Sequence, residues 1–233
     1  ESFFNPKGVA VIGASSVPGK PGRTVIENLQ ANGFKGAIKP VNPKAGFICG
    51  CPVIPSISDL PEGIDTGIIM LPASQTPAAL EACAKKGLTS AVLAAGGFAE
   101  VDEGGQDLQR ELSTVIENTG IRVLGPNTAG HISTPGDYTS SFFPLGKIPK
   151  GPISFVAQTG NFTGAMMRSI ISGEHYGVAR CVGLGNAVDI DEVDILKFLA
   201  TDPKTKTIFI YLESLHRPKE FLDVARKVTK NKP

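Results

Sequence analysis

The sequence predicts an α/β protein: a doubly wound parallel sheet followed by a second, smaller α/β unit. Three observations carry that expectation. Short apolar runs alternate with helical stretches along most of the chain. The runs are hydrophobic at consecutive positions, the pattern of strands buried on both faces. Most of them end at glycine or proline, as strand-to-helix turns do.

The elements follow in order. Residues 7–13 (KGVAVIG) read as a strand that stops at Gly13, and 24–32 as a helix that stops at Gly33. A second strand at 37–41 runs into Asn42-Pro43, and a third at 66–71 ends at Pro72. Thr76-Pro77 opens a helix to Lys86, with proline in the first turn and Gly87 beyond the end. A fourth strand at 90–95 meets Gly96-Gly97, a helix covers 106–118, and a fifth strand at 122–124 ends in Gly125-Pro126-Asn127. The rhythm breaks over 128–150, which is rich in Ser, Thr, Gly and Pro and reads as a connection. It restarts with strands at 153–157, 179–183 and 207–212 and helices at 162–172, 191–200 and 218–230. Domains are therefore expected at 1–127 and 151–233. The second is expected to be partial, because another strand would follow Lys232-Pro233.

Composition narrows the function. The chain has 233 residues, enough for one large domain or two small ones. Lys+Arg 23 against Asp+Glu 22 leaves a net charge of +1, which argues against nucleic-acid binding by bulk phosphate neutralisation. No apolar run is long enough for a membrane span, and no signal peptide is visible at the N-terminus. The four cysteines, Cys49, Cys51, Cys83 and Cys181, form neither a disulfide framework nor a zinc pattern. They read as reduced thiols of a cytoplasmic protein, with no metal site.

In such sheets ligands bind beyond the carboxyl ends of the strands, so those loops carry the chemistry. Gly13-Ala14-Ser15-Ser16-Val17-Pro18-Gly19-Lys20-Pro21-Gly22 can bring backbone N–H groups and a helix N-terminus to a phosphate. It is not a P-loop: five residues separate Gly13 from Gly19-Lys20, and Pro21 stands where a magnesium-binding hydroxyl belongs. It is not G-x-G-x-x-G either, since Ser15 replaces the second glycine. The second strand ends in Lys39-Pro40-Val41-Asn42-Pro43-Lys44, without the carboxylate that a bare ribose wants. Two lysines there suit a phosphorylated ribose, as in CoA or NADP. In the second half, Gln158-Thr159-Gly160-Asn161 joins a strand to a helix and offers hydroxyls and N–H groups to an anion. Gly183-Leu184-Gly185-Asn186 and Glu213 follow the next two strands.

Taken in order, residues 9–15 with Pro18-Gly19-Lys20, then Pro40-Val41-Asn42-Pro43, Gly125-Pro126-Asn127, Gln158-Thr159-Gly160, residues 183–186 and Tyr211-Leu212-Glu213 resemble the NDP-forming acyl-CoA synthetases. These are relatives of the succinyl-CoA synthetase alpha subunit. The resemblance implies a Rossmann-like CoA-binding domain and a flavodoxin-like ligase domain. It implies an acid–thiol ligase that interconverts acyl-CoA, ADP and phosphate with acid, CoA and ATP, through an acyl phosphate and a phosphohistidine. By that likeness Gly13, Ser15 and Lys20 contact CoA phosphates. Val41, Asn42 and Lys44 lie by the adenosine, and Pro72 and Asn127 along the pantetheine. Thr159, Gly160 and Asn161 bind phosphate, and Glu213 orients the phosphohistidine. The family's phosphorylated histidine lies beyond the residues that match Lys232-Pro233. Its ATP-grasp domain or beta subunit, which takes ATP/ADP and Mg2+, is a further expected partner, as are a small carboxylic acid and a second copy of the chain. Two other readings remain open at this stage: a non-catalytic CoA- or nucleotide-binding module, and an NAD(P)-dependent oxidoreductase. His131, His175 and His216 read as surface or hydrogen-bonded histidines.

Overall fold

The computed structural model describes residues 3–44, 46–173 and 176–233, save for the side chains at 161–163, 166, 170, 171 and 173. The first half runs β1 (Gly8–Ile12), α1 (Pro21–Asn32), β2 (Ala37–Val41), β3 (Phe47–Ile48), β4 (Cys51–Pro52), β5 (Thr66–Ile69), α2 (Thr76–Lys85), β6 (Ser90–Leu93), α3 (Glu103–Thr119) and β7 (Arg122–Leu124). The second half runs β8 (His131–Ser133), β9 (Tyr138–Thr139), β10 (Lys150–Ala157), α4 (Gly160–Gly173), β11 (Val178–Gly183), α5 (Glu192–Thr201), β12 (Thr207–Tyr211) and α6 (Pro218–Val228).

The first sheet has the order β2-β1-β5-β6-β7, and every pairing is parallel. Its strands are apolar because both faces are covered: Val9, Ala10, Val11, Ile68, Ile69, Ala91 and Val92 are all fully buried. The strand order reverses between β1 and β5, so a crevice opens at their carboxyl ends. Three helices start or stop where their local chemistry dictates. Pro21 at the first turn starts α1, and Gly33 in the left-handed region ends it. Asp102 caps α3 by accepting from Gly105 N at 2.8 Å, and Asp191 caps α5 by accepting from Val193 N and Asp194 N.

The second sheet has the order β12-β10-β11-β8-β9. Strands β10, β11 and β12 are parallel, and β8 and β9 add to the β11 edge in antiparallel fashion. Two of these strands lie inside 128–150, the stretch expected as a connection. Its polarity misleads because its hydroxyls are buried and satisfied by groups far away in sequence. Ser133 Oγ donates to Phe4 O at 2.6 Å, and Thr134 Oγ1 to Val178 O at 2.5 Å. The β3–β4 hairpin also escaped the sequence reading, being only two residues on each side. Helix α1 begins at Pro21 rather than Thr24, and α3 at Glu103 rather than Gln106.

The residues ahead of β1 fasten the two halves together. The Phe4 ring stacks on Phe198 of α5 at 4.2 Å between centroids, and the Arg180 guanidinium lies 5.1 Å from the Phe4 centroid. Arg180 in turn forms a buried ion pair with Asp202, Nε to Oδ2 at 3.0 Å.

Candidate functional site

The carboxyl edge of the first sheet carries the glycine-rich loop between β1 and α1. Gly22 must be glycine for close approach: a Cβ there would stand 2.5 Å from Gly13 O. The chain can therefore fold tightly back at the start of α1, where the N–H groups of Arg23 and Thr24 both donate to Lys20 O at 3.0 Å. Ser15 Oγ accepts from Val17 N at 3.1 Å, so its own proton is available to a ligand oxygen. Lys20 is exposed at the N-cap position. Arg23 Nη1 donates to Ser16 O at 2.7 Å and braces the loop.

Asn42 ties this loop to the end of β2. Its Nδ2 donates to Ala14 O at 2.7 Å, and its Oδ1 accepts from Lys44 N at 2.7 Å. Both ends of the amide are engaged in holding the two loops. Val41 is buried, and its carbonyl accepts from Gly13 N at 3.1 Å. Lys44 is exposed beside them. Pro72 stands exposed beyond β5, its carbonyl accepting from Gln75 N at 2.9 Å at the start of the turn into α2. These groups line up along one sheet edge. From β2 to β7 that edge spans roughly 19 Å at ~4.8 Å per strand, a track for an elongated ligand.

The track leads to a cleft of about 500 Å³ between the halves. Asn127 from the end of β7, Thr159 and Gly160 from the start of α4, and Glu213 from beyond β12 all line it. So do Glu100 and Asn186. The loop after β11 presses close because residue 185 is glycine, at φ +63; a Cβ would lie 2.1 Å from Pro126 O. Among the described residues lining the cleft none is lysine or arginine. An anion there would rely on hydroxyls and the N-terminus of α4.

Glu213 is exposed, and its loop is held at both ends. Gln158 Oε1 accepts from Glu213 N at 2.8 Å and Ser214 N at 3.0 Å, while its Nε2 donates to Ser214 Oγ at 2.8 Å. Farther along, buried Glu192 accepts from His216 N at 2.8 Å and pairs with His216 Nδ1 at 3.1 Å. Arg217 Nε donates to Asp191 at 2.6 Å.

The structure thus divides the sequence-derived candidates. Gly13, Ser15, Lys20, Val41, Asn42 and Lys44 gather at the ends of β1 and β2, Pro72 stands at the end of β5, and Asn127, Thr159, Gly160 and Glu213 meet in the cleft. Asn161 lies within α4, but its side chain is outside the described residues. Gln158 and Asn186 fall in loops that the sequence singles out, whereas Glu100 gained no role from sequence, although it too sits in a strand-end loop. Burial opposes ionisation of Glu100, but donation by Asn186, Gly97 and Phe98 outweighs it and holds the carboxyl below its ordinary range.

The histidines fit structural roles. His131 is 1% exposed, with Nδ1 paired to Ser140 Oγ at 2.8 Å and Nε2 to Phe3 O. His216 pairs with Glu192, and His175 lies outside the described residues. The cysteines are free thiols, and burial pushes Cys83 and Cys181 up to about 12. Among the described residues no cluster could hold a metal ion, and no helix is long and apolar enough to cross a membrane. A second cavity, of about 290 Å³, is walled by Phe3, Phe4, Leu124, Val182 and Phe198 and receives no glycine-rich turn.

Two α/β units meet at this cleft, and each matches a known domain. The model of the CoA binding domain matches residues 7–133, and that of the succinyl-CoA ligase like flavodoxin domain matches residues 150–233. The chain belongs to the CoA binding domain family and continues into the flavodoxin-like domain of the succinyl-CoA ligases, the pair expected from its ordered motifs.

Acetate–CoA ligase [ADP-forming] II of Archaeoglobus fulgidus is 42% identical over 98% of this chain and 34% of its own length. The alpha subunit of acetate–CoA ligase [ADP-forming] I of Pyrococcus furiosus is 38% identical over 100% of this chain and 51% of its own. The dinucleotide-forming acetyl-coenzyme A synthetase 1 of Ca. Korarchaeum cryptofilum, solved with phosphate and ADP, superposes with a TM-score of 0.94 at 37% identity. It covers 100% of this chain and 50% of that one. The chain therefore spans about a third to a half of the length of these relatives.

Proposed function

We propose that this chain is the CoA-binding portion, with part of the ligase domain, of an NDP-forming acyl-CoA synthetase that acts on a small carboxylic acid. The observation that carries the reading is the cleft. It joins the end of the first sheet's ligand track, at Asn127, to a helix N-terminus at Thr159–Gly160 and a carboxylate at Glu213.

In this reading the Gly13–Lys20 loop holds CoA phosphates through N–H groups, the Ser15 hydroxyl and the Lys20 ammonium. Lys44 answers the 3′-phosphate, and Asn42 keeps the two loops in register. Pro72 and Asn127 flank the pantetheine, so the thiol arrives in the cleft. There the start of α4 neutralises the phosphoryl group of an acyl phosphate while the thiol attacks the acyl carbonyl and phosphate departs. Positioning and preorganised dipoles supply most of the rate in such a site. Glu213 orients a phosphohistidine supplied from outside these residues. ATP/ADP and Mg2+ belong to a partner ATP-grasp domain or beta subunit, and the working unit is an oligomer in the cytoplasm.

The test is a calorimetric titration of the chain with CoA, dephospho-CoA and NAD. CoA should bind, and more weakly without its 3′-phosphate. Lys20→Ala should weaken both CoA forms about tenfold, whereas Lys44→Ala should weaken only CoA itself. A preference for NAD, or no CoA binding, would overturn the reading.

A further inference from the structure

We infer that the Phe143 ring sets the length of acid that the cleft accepts, restricting it to short aliphatic acids. The inference rests on the proposed function, because it takes the cleft as the acyl site. With phosphate held at Thr159 and Gly160, the acyl chain must lie against the neighbouring wall. Among the described residues, the apolar side chains of that wall are Ala94, Ala129, Phe142 and Phe143. Each alanine offers one methyl group, so the rings supply most of the surface. Phe142 and Phe143 lie 5.0 Å apart at 40°.

Phe143 also faces the other way. Together with Pro144, Leu145, Gly164, Arg168 and Ser172 it lines a side cavity of about 150 Å³. The ring is therefore a partition between the cleft and this cavity. Its edge rests on the backbone of α4 at Gly164, where a Cβ would stand 3.0 Å from Phe143 Cε2. Gly164, Arg168 and Ser172 recur at helical spacing, so one face of α4 forms the far wall.

The partition is fixed from behind. Asn28 of α1 is 3% exposed. Its Nδ2 donates to Ser141 O at 2.9 Å and Phe143 O at 2.6 Å, and its Oδ1 accepts from Leu145 N at 3.3 Å. These bonds pin the backbone on both sides of the ring. A longer acyl tail must displace the ring against that anchorage, whereas a short one need not. Without the ring, cleft and side cavity become continuous and a tail can reach toward Arg168.

The experiment uses the complete gene product and measures kcat/KM for acyl-CoA formation from acetate, butyrate and phenylacetate. Phe143→Ala should raise the phenylacetate-to-acetate ratio at least about tenfold, the scale on which apolar pockets discriminate. Gly164→Ala should act in the opposite sense. Its new methyl pushes the ring off α4 into the cleft, and the butyrate-to-acetate ratio should fall several-fold. Alanine suits a helix interior better than glycine, so this variant decides the matter if Phe143→Ala does not fold. Unchanged ratios overturn the inference. A CoA titration of the same proteins separates the two failures. Loss of CoA binding in the unsubstituted protein counts against the functional reading, and intact CoA binding with unchanged ratios counts against the size filter alone.

Discussion

Asn186 donates from Nδ2 to Glu100 Oε2 at 2.6 Å, across 86 residues of sequence and from one half of the molecule to the other. The same asparagine accepts from Asn127 Nδ2 at 3.3 Å and donates to Gln109 Oε1 at 3.0 Å. One side chain thus ties two loops and helix α3 together at the mouth of the cleft. Glu100→Gln should lower stability at pH 7 by at most about 1 kcal/mol, since the pair is partly exposed. The folded-state pKa of Glu100 lies below the ordinary carboxylate value. Its contribution is therefore present above about pH 4.3 and lost as pH falls through the lower folded value. Urea midpoints of the two proteins should differ at pH 7 and draw together as pH falls below about 4.3. A gap that does not narrow there would show that the charge is irrelevant.

His131 acts in the same direction, over a higher pH window. Burial, the largest influence, lowers its pKa from 6.5 to about 4. The unfolded chain then binds a proton that the folded one refuses between pH 6.5 and 4. Stability should drop by about 3 kcal/mol as pH falls through that window and be constant above it with respect to this group. His131→Gln should remove that part of the pH dependence. Equal slopes for both proteins between pH 7 and 5 would contradict the assignment.

These two groups also show what the sequence could convey. Strands such as Gly8–Ile12 and Ser90–Leu93 are legible because burial on both faces leaves consecutive apolar residues and their turns leave glycine or proline. Asn127, Thr159 and Glu213 are legible because strand ends in a doubly wound sheet are where ligands go. What stayed hidden depends on partners distant in sequence. Glu100 gained no role from the sequence, because its partner Asn186 lies 86 residues away. Ser133, Thr134 and Thr139 looked like linker residues because their acceptors, on Phe4, Val178 and His131, cannot be read from a local window. Phe3 and Phe4 pack into a core shared with residues of the second half, which nothing local to them announces.

The buried pair Arg180–Asp202 should matter far more than any surface pair. Their side chains are only 4% and 3% exposed. Thr205 Oγ1 adds a 2.8 Å bond to the same carboxylate. Burial alone would raise the Asp202 pKa, but Arg180 and Thr205 hold it below the usual range. Asp202→Asn leaves a buried guanidinium without its counter-charge, which should cost about 3–5 kcal/mol. Asp107→Asn, which removes a pairing with Arg110 at 67% and 71% exposure, should cost under about 0.5 kcal/mol. Equilibrium urea denaturation of both variants gives the comparison. Similar costs for the two would mean that the Arg180 site admits water.

Gln158 joins the two segments that handle phosphate in the proposed reaction. It follows β10, immediately before Thr159 and Gly160, and its side chain makes three bonds to residues 213 and 214. Strands β10 and β12 are neighbours at which the second sheet reverses order, so this amide spans the crevice where a ligand belongs. Gln158→Leu keeps the volume roughly but leaves Glu213 N and Ser214 N without an acceptor. The Glu192 anchor at His216 remains, so the loop should loosen at its Glu213 end only. In the complete gene product, kcat for acyl-CoA formation should fall about tenfold or more, with the phosphorylated-histidine level falling in parallel. CoA affinity should stay within twofold, because the CoA track lies on the other sheet. Gln158→Glu should recover part of the loss through its remaining acceptor oxygen. Equal losses in CoA affinity and kcat would instead mean that Gln158 supports the whole fold and does not act through Glu213.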